Sequence, residues 1–179
     1  MRHQLPFLRL IDWTTGLALL ALAACATTSP TPRPETAAAD QPAETTVKLY
    51  WLVDQTVEAE QRTLPADQPD LPAAALRVLL AGPPADAVAE WRTAIPTPEE
   101  VQRYPGRQPD WGDRVRLRGL TIEDGVATAD FSPEMRAYGG GSARVQAIRE
   151  QITRTLTQFP AIESVRIAVA GETEGVLQP

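Results

Sequence analysis

Ser142-Ala143-Arg144-Val145-Gln146-Ala147-Ile148-Arg149-Glu150-Gln151-Ile152-Thr153-Arg154-Thr155-Leu156-Thr157-Gln158-Phe159-Pro160 holds one period for longer than any other stretch of the chain. Val145, Ile148, Ile152, Leu156 and Phe159 recur at spacings of 3, 4, 4 and 3, which puts them on one face of a helix. Ser142 is the expected cap and Pro160 the stop. Glu150 and Arg154 stand four apart on the opposite face, acid first, the favourable order for a helical ion pair. Directly afterwards the period changes to two: Val165, Ile167 and Val169 alternate with Arg166 and Ala168. That is a half-buried strand. Ile152, Leu156 and Phe159 are therefore expected to face a sheet. Gly171 is read as the end of the fold, with residues 172–179 frayed.

Working backwards, Val115-Arg116-Leu117-Arg118 alternates, and the apolar phase then shifts at Gly119 to Leu120 and Ile122, the mark of a bulge. Glu123-Asp124-Gly125 is a tight hairpin turn and Val126–Phe131 its returning strand. Asp70-Leu71-Pro72 opens a second helix with Ala73, Leu76, Leu79 and Leu80 on its apolar stripe, and Gly82-Pro83-Pro84 ends it. A further short helical stretch is expected over Asp86–Trp91. Val47–Val53, rich in β-branched and aromatic residues, is a strand with Trp51 in the core. Asp54-Gln55 turns it into a weaker returning strand, Val57–Leu64, ended by Pro65. The order β–β–α–β–β–α–β gives an α+β fold: a two-layer sandwich with two main helices on one face of a four- or five-stranded mixed sheet.

One segment has no period. Thr97–Arg114 contains Pro98, Pro105, Gly106, Pro109 and Gly112 together with Tyr104 and Trp111. Long loops inside small domains commonly carry function, and aromatic anchors are what interfaces favour. Tyr104 and Trp111 are thus the partner-binding candidates, and the loop is expected to be dispensable for folding. The competing reading has both rings folding back as a structural staple.

The N-terminus is of a different kind. Arg2, His3 and Arg9 precede the apolar run Thr14–Ala21, which leads into Leu22-Ala23-Ala24-Cys25. The run is too short to span a bilayer and fits an export signal over 1–24. Leu-Ala-Ala-Cys resembles the lipobox of bacterial lipoproteins, so Cys25 is expected to be diacylated and to anchor the protein on the outer side of the cell membrane. Residues 25–46, with Pro30, Pro32, Pro34 and Pro42 among small polar residues, read as an extended tether. Residues 47–171 form the expected domain.

Composition then excludes much chemistry. The full chain carries a net charge of −6, and losing Arg2, Arg9 and Asp12 with the signal makes it more acidic by one unit. Lys48 is the only lysine. Such a chain is a poor nucleic-acid binder. The only histidine, His3, leaves with the signal, and the only cysteine is the acylated one. Ser-His-Asp, Cys-His and histidine-zinc chemistry therefore have no residues to work with. Gly139-Gly140-Gly141 lacks the lysine of a phosphate-binding loop. No catalytic residue, metal or cofactor is assigned. Only a pair of facing carboxylates of the glycosidase type remains conceivable.

Taken in order, Leu49-Tyr50-Trp51 followed by Arg62, Ala75–Pro83 (ALRVLLAGP), Ala94-Ile95-Pro96, Asp124–Ser132 (DGVATADFS), Gln151–Pro160 (QITRTLTQFP) and Val165-Arg166-Ile167 leading to Gly171 resemble a GerMN domain, the module of sporulation and spore-germination proteins. The resemblance covers about Val47 to Gly171. Sporulation members can carry two such domains where this chain has one, and Thr97–Arg114 is longer than the family's usual link. The resemblance implies an envelope lipoprotein used for binding or assembly in sporulation, germination or envelope construction, with no active site to carry over. Its partners would be the membrane, through lipid on Cys25, and an envelope protein or the cell wall. A cell-wall glycosidase and a solute-binding lipoprotein are the rivals. The first needs two carboxylates about 5–9.5 Å apart, the second a pocket of roughly 300 Å³ or more.

Overall fold

A computed structural model describes residues 43–85 and 90–178. The export signal, Cys25, most of the tether and residues 86–89 of the expected short helix lie outside the described residues. The chain runs β1 (Glu44–Val53), β2 (Thr56–Pro65), α1 (Leu71–Ala81), α2 (Pro98–Arg103), β3 (Leu117–Glu123), β4 (Val126–Phe131), a 3-10 turn over Pro133–Arg136, α3 (Ser142–Leu156) and β5 (Ser164–Val169). The domain starts three residues earlier than expected, because Glu44 already pairs with Pro65.

The α+β class stands, with helices packed against strands. The five strands divide, however, into an antiparallel hairpin, β1-β2, and a three-stranded sheet in the order β3-β4-β5. The outer backbone groups of β1 are met by side chains and by a two-bond backbone bridge rather than by a strand of the second sheet. Gln158 accepts from the Lys48 N–H (2.7 Å) and donates to the Lys48 carbonyl (2.7 Å). Gln151 donates to the Tyr50 carbonyl (2.7 Å), and Leu52 exchanges two 2.8 Å backbone bonds with Arg92. Two glutamines of the α3 region thus occupy groups that a neighbouring strand would otherwise take.

Within the three-stranded sheet, β3 and β4 are antiparallel and β4 and β5 parallel, the parallel pair being joined through α3 in the usual strand–helix–strand crossover. The turn between β3 and β4 is Asp124-Gly125, with φ of 49° and 77°, the left-handed pair that a two-residue hairpin of this kind requires. The expected bulge is present: the β3 register shifts between Leu117 and Gly119. β4 is central and alternates strictly, with Ala127, Ala129 and Phe131 fully buried.

The two longer helices join the ladders. α1 packs on β1 and β3, α3 packs on β1 and β5, and the helices pack on each other. Asp70 caps α1 by accepting from the Ala73 N–H at 3.1 Å, with Pro72 in the first turn. α3 lays Val145, Ile148, Ile152 and Leu156 into the core with Trp51, Leu76, Leu79 and Phe131. Its cap differs from expectation. Gly141 is the N-cap and Ser142 the first helical residue, with no side-chain capping bond. The stripe also ends earlier than its period suggests: Phe159 lies past the helix and is only partly buried. Phe159→Ala is accordingly expected to cost about 1–2 kcal/mol, below the 3–5 kcal/mol of a fully buried ring. Chemical denaturation beside Leu156→Ala, whose side chain is fully buried, measures the contrast.

The C-terminal residues are not frayed. Beyond β5 the chain turns at Ala170-Gly171, held by Ala170 N–H to the Phe131 carbonyl (2.8 Å) and Gly171 N–H to Asp130 Oδ1 (2.9 Å). It then places Val176 and Leu177 in the core at 5% and 3% exposure. Arg149 donates to the Val176 carbonyl (3.0 Å) and the Tyr138 hydroxyl to the Gln178 carbonyl (2.9 Å). Two apolar residues in an eight-residue tail of otherwise polar or small ones show no period, so the sequence signal was too short to read.

Candidate functional site

The segment Thr97–Arg114 is built, not loose. Thr97 and Glu100 form a reciprocal capping box: the Thr97 hydroxyl accepts from the Glu100 N–H and the Glu100 carboxylate accepts from the Thr97 N–H (2.9 Å). With Pro98 in the first turn, this starts α2. The signal Thr-Pro-Glu-Glu was present in the sequence but was hidden among the prolines. α2 buries Val101 completely, and Val101, Trp111 and Ala137 make a second small core with Tyr104 packed against it.

The two aromatic candidates are brought together. Tyr104 and Trp111 stack with centroids 5.8 Å apart and ring planes 6° apart. Arg107 donates to the Trp111 carbonyl at 3.0 Å. Trp111 is only 9% exposed, so the rings fold back as a staple, and Tyr104 alone of the pair keeps appreciable exposed surface. The reason is arithmetic of area: an indole in a short segment buries more apolar surface against Val101 and Ala137 than it could by waiting for a partner.

Two acids tie the segment to the rest of the domain. Glu100 forms a bidentate pair with Arg144 of α3 at 2.6 and 2.7 Å, and Arg144 Nε also donates to the Ala94 carbonyl at 2.9 Å. Glu134, buried in the 3-10 turn, accepts from the Gly112 N–H through one oxygen, while its other oxygen has no partner among the described residues. The Arg144 hydrogen bonds, the largest influence, hold the Glu100 carboxyl below its ordinary value of 4.5. A depressed carboxyl pKa contributes stability that is complete above the unfolded value and is lost as pH falls through the folded one. Arg144→Met is therefore expected to cost about 1–2 kcal/mol at pH 7, the pair being partly exposed. The wild-type advantage should shrink below about pH 4.5. Urea midpoints of both proteins across pH 2.5–7 read this directly.

Three acids among the described residues are engaged in contacts within the fold. Glu100 and Glu134 are engaged as described, and Glu60 accepts from the Trp51 indole (2.7 Å) and from Arg62 (2.8 Å). Among the described residues no three His, Cys, Asp or Glu side chains converge on a metal position. Surface grooves do exist. Tyr104, Arg136 and Tyr138 line one of about 350 Å³, and Leu52, Arg92 and Arg144 line another of about 480 Å³. Volume is thus available for a ligand, but both grooves open to solvent without a buried polar group aimed into them. None of the described helices is long and apolar enough to cross a membrane.

Comparison with known proteins places this geometry. The profile of the family described as "Germane: Sporulation and spore germination" matches residues 48–175. Over 140 residues the chain is 29% identical to the spore germination protein GerM of Bacillus subtilis (strain 168), covering 76% of this chain and 33% of that protein. It therefore spans about a third of the curated relative's length. The solved tandem GerMN domains of the sporulation protein GerM from B. subtilis superpose with a TM-score of 0.54 at 26% identity, over 73% of this chain and 41% of that one. The first GerMN domain of the same protein gives 0.50 at 26% identity, over 72% of this chain and 85% of that one. The match extends four residues beyond Gly171, in keeping with the ordered C-terminal turn. This chain belongs to the Germane, or GerMN, family of sporulation and spore-germination domains.

Proposed function

We propose that the protein is a lipid-anchored, non-enzymatic envelope component whose GerMN domain, held outside the cytoplasm, binds another envelope protein or the cell wall. Its setting would be sporulation, germination or envelope assembly. One observation carries the reading: a family match over residues 48–175 in a chain whose N-terminus ends an apolar run with Leu22-Ala23-Ala24-Cys25. The proline-rich residues that follow Cys25 would set the domain off from the lipid surface. Tyr104, beside Tyr138 in its groove, is the ring of the 97–114 segment available to a partner. Trp111 supports it from behind.

The anchor is tested first. Cys25→Ser is expected to abolish incorporation of labelled palmitate and to move the protein out of the membrane fraction. Labelling equal to wild type would remove lipid from this account.

A further inference from the structure

We propose that the outer edge of β3, together with the trough between α1 and the residues leading into β3, binds an acidic extended polypeptide by strand addition. This rests on the binding-module reading and names a surface and a partner chemistry for it.

Two features of the structure meet there. β3 is an edge strand: among the described residues β4 is its only ladder neighbour. Among the described residues, no group outside β4 hydrogen-bonds to the backbone between Leu117 and Glu123. The contrast with β1, whose outer groups are met by Gln151, Gln158 and Arg92, is direct. Most of this edge is exposed, including Ile122, the one large exposed hydrophobic residue among those described. Unpaired edges of this kind template another strand.

The second feature is charge. A trough of about 350 Å³ at the start of β3 has Leu80, Val115 and Leu117 as its apolar surface and the exposed Arg77, Arg114 and Arg116 around it. It continues into a smaller hollow of about 210 Å³ that shares Leu80 and Arg114. Arg114 and Arg116 both lean on one acid, Asp113, at 3.1 and 3.2 Å. Arg77 has no ion-pair partner among the described residues. The trough is thus net positive on a chain whose charge is −6. A segment alternating acidic and apolar residues matches it at every level: backbone to the β3 edge, apolar side chains over Leu80 and Leu117, carboxylates to the guanidinium groups.

The probe is a fluorescein-labelled peptide of alternating glutamate and valine, titrated into the purified full chain at low salt, with amide NMR shifts recorded in parallel. Binding is expected with shifts across Leu117–Glu123. R77E/R114E should weaken it by at least about tenfold. A peptide N-methylated at alternate backbone positions, which keeps the charge and loses the ladder, should fail to bind. Circular dichroism of the double variant, whose two arginines are exposed, establishes that it is folded. No binding by the probe overturns the proposal. So does equal binding of the N-methylated peptide, or tighter binding of phosphatidylglycerol vesicles, since either makes this a general anion surface. An envelope partner captured in cells equally by wild type and R77E/R114E also overturns it, while leaving the binding-module reading standing.

Discussion

Deleting residues 97–114 and closing the gap with a short turn is expected to unfold the domain. Loop closure itself is nearly neutral, since entropy changes only slowly with loop length. What is lost is packing. Val101 is fully buried and Trp111 nearly so, and burying side chains of this kind stabilises by about 1.5–3 kcal/mol each. The deletion also strips Arg144 of Glu100. It leaves Glu134, a buried carboxylate, without the Gly112 N–H that it accepts from. A buried acceptor stripped of its hydrogen bond costs about 1–3 kcal/mol. Together these losses approach the whole stability of a small domain, about 5–15 kcal/mol. Circular dichroism and a thermal melt of the deletion decide the matter. A cooperative transition close to that of wild type would show that the segment is an appendage after all.

The second large effect belongs to one side chain. Gln151→Ala is expected to destabilise by about 3–5 kcal/mol, combining a cavity with two stranded backbone groups. Gln151 is fully buried on the inner side of α3. It donates to the Tyr50 carbonyl at 2.7 Å and accepts from the Ala94 N–H at 2.8 Å. It therefore fastens β1 and the segment before α2 to the same helix. Replacing both hydrogen-bonding functions by methyl leaves a buried donor and a buried acceptor with nothing to meet. Gln146→Ala, on the exposed face of the same helix, serves as the control and should stay within about 0.5 kcal/mol of wild type. Equal urea midpoints for the two variants would mean that the Gln151 amide is replaceable by water.

What could be read from the sequence was what is local. The Asp70 cap, the Asp124-Gly125 turn, the phase shift at Gly119 and the 3-4-4 spacing of α3 each depend on residues within one or two turns, and each lies where the period placed it. The α+β class followed from their order. What could not be read was long-range. The strands divide into two sheets, with Gln151 and Gln158, about a hundred residues away in sequence, meeting the backbone of β1, and no period of two reports that. Val176 and Leu177 enter the core as an isolated pair. Trp111 illustrates the same limit at the candidate site. Its residue type and proline-rich setting suit an interface anchor, and only the positions of Val101 and Ala137 reveal that it is packed inside. Glu100 and Arg144 stand 44 residues apart, so the ion pair that fixes the segment left no trace in spacing. α2 is the instructive exception, because Thr97-Pro98-Glu99-Glu100 announces a capping box locally and was masked only by the glycines and prolines that follow.

The surfaces available for function are consequently different from those that composition suggests. The tryptophan of the long segment is packed inside, its tyrosine borders a groove, and the edge of β3 is flanked by arginines. The proposed function is that an anchored domain works by what it touches.

The most direct test of that claim is photo-crosslinking in living cells, with a photoreactive residue placed at position 104 in the otherwise native chain and in the Cys25→Ser variant. A discrete adduct with an envelope component from the anchored protein, lost or strongly reduced in Cys25→Ser, is the predicted result. An anchored protein that yields no adduct, or an unanchored one that yields the same adduct in the same amount, would contradict it.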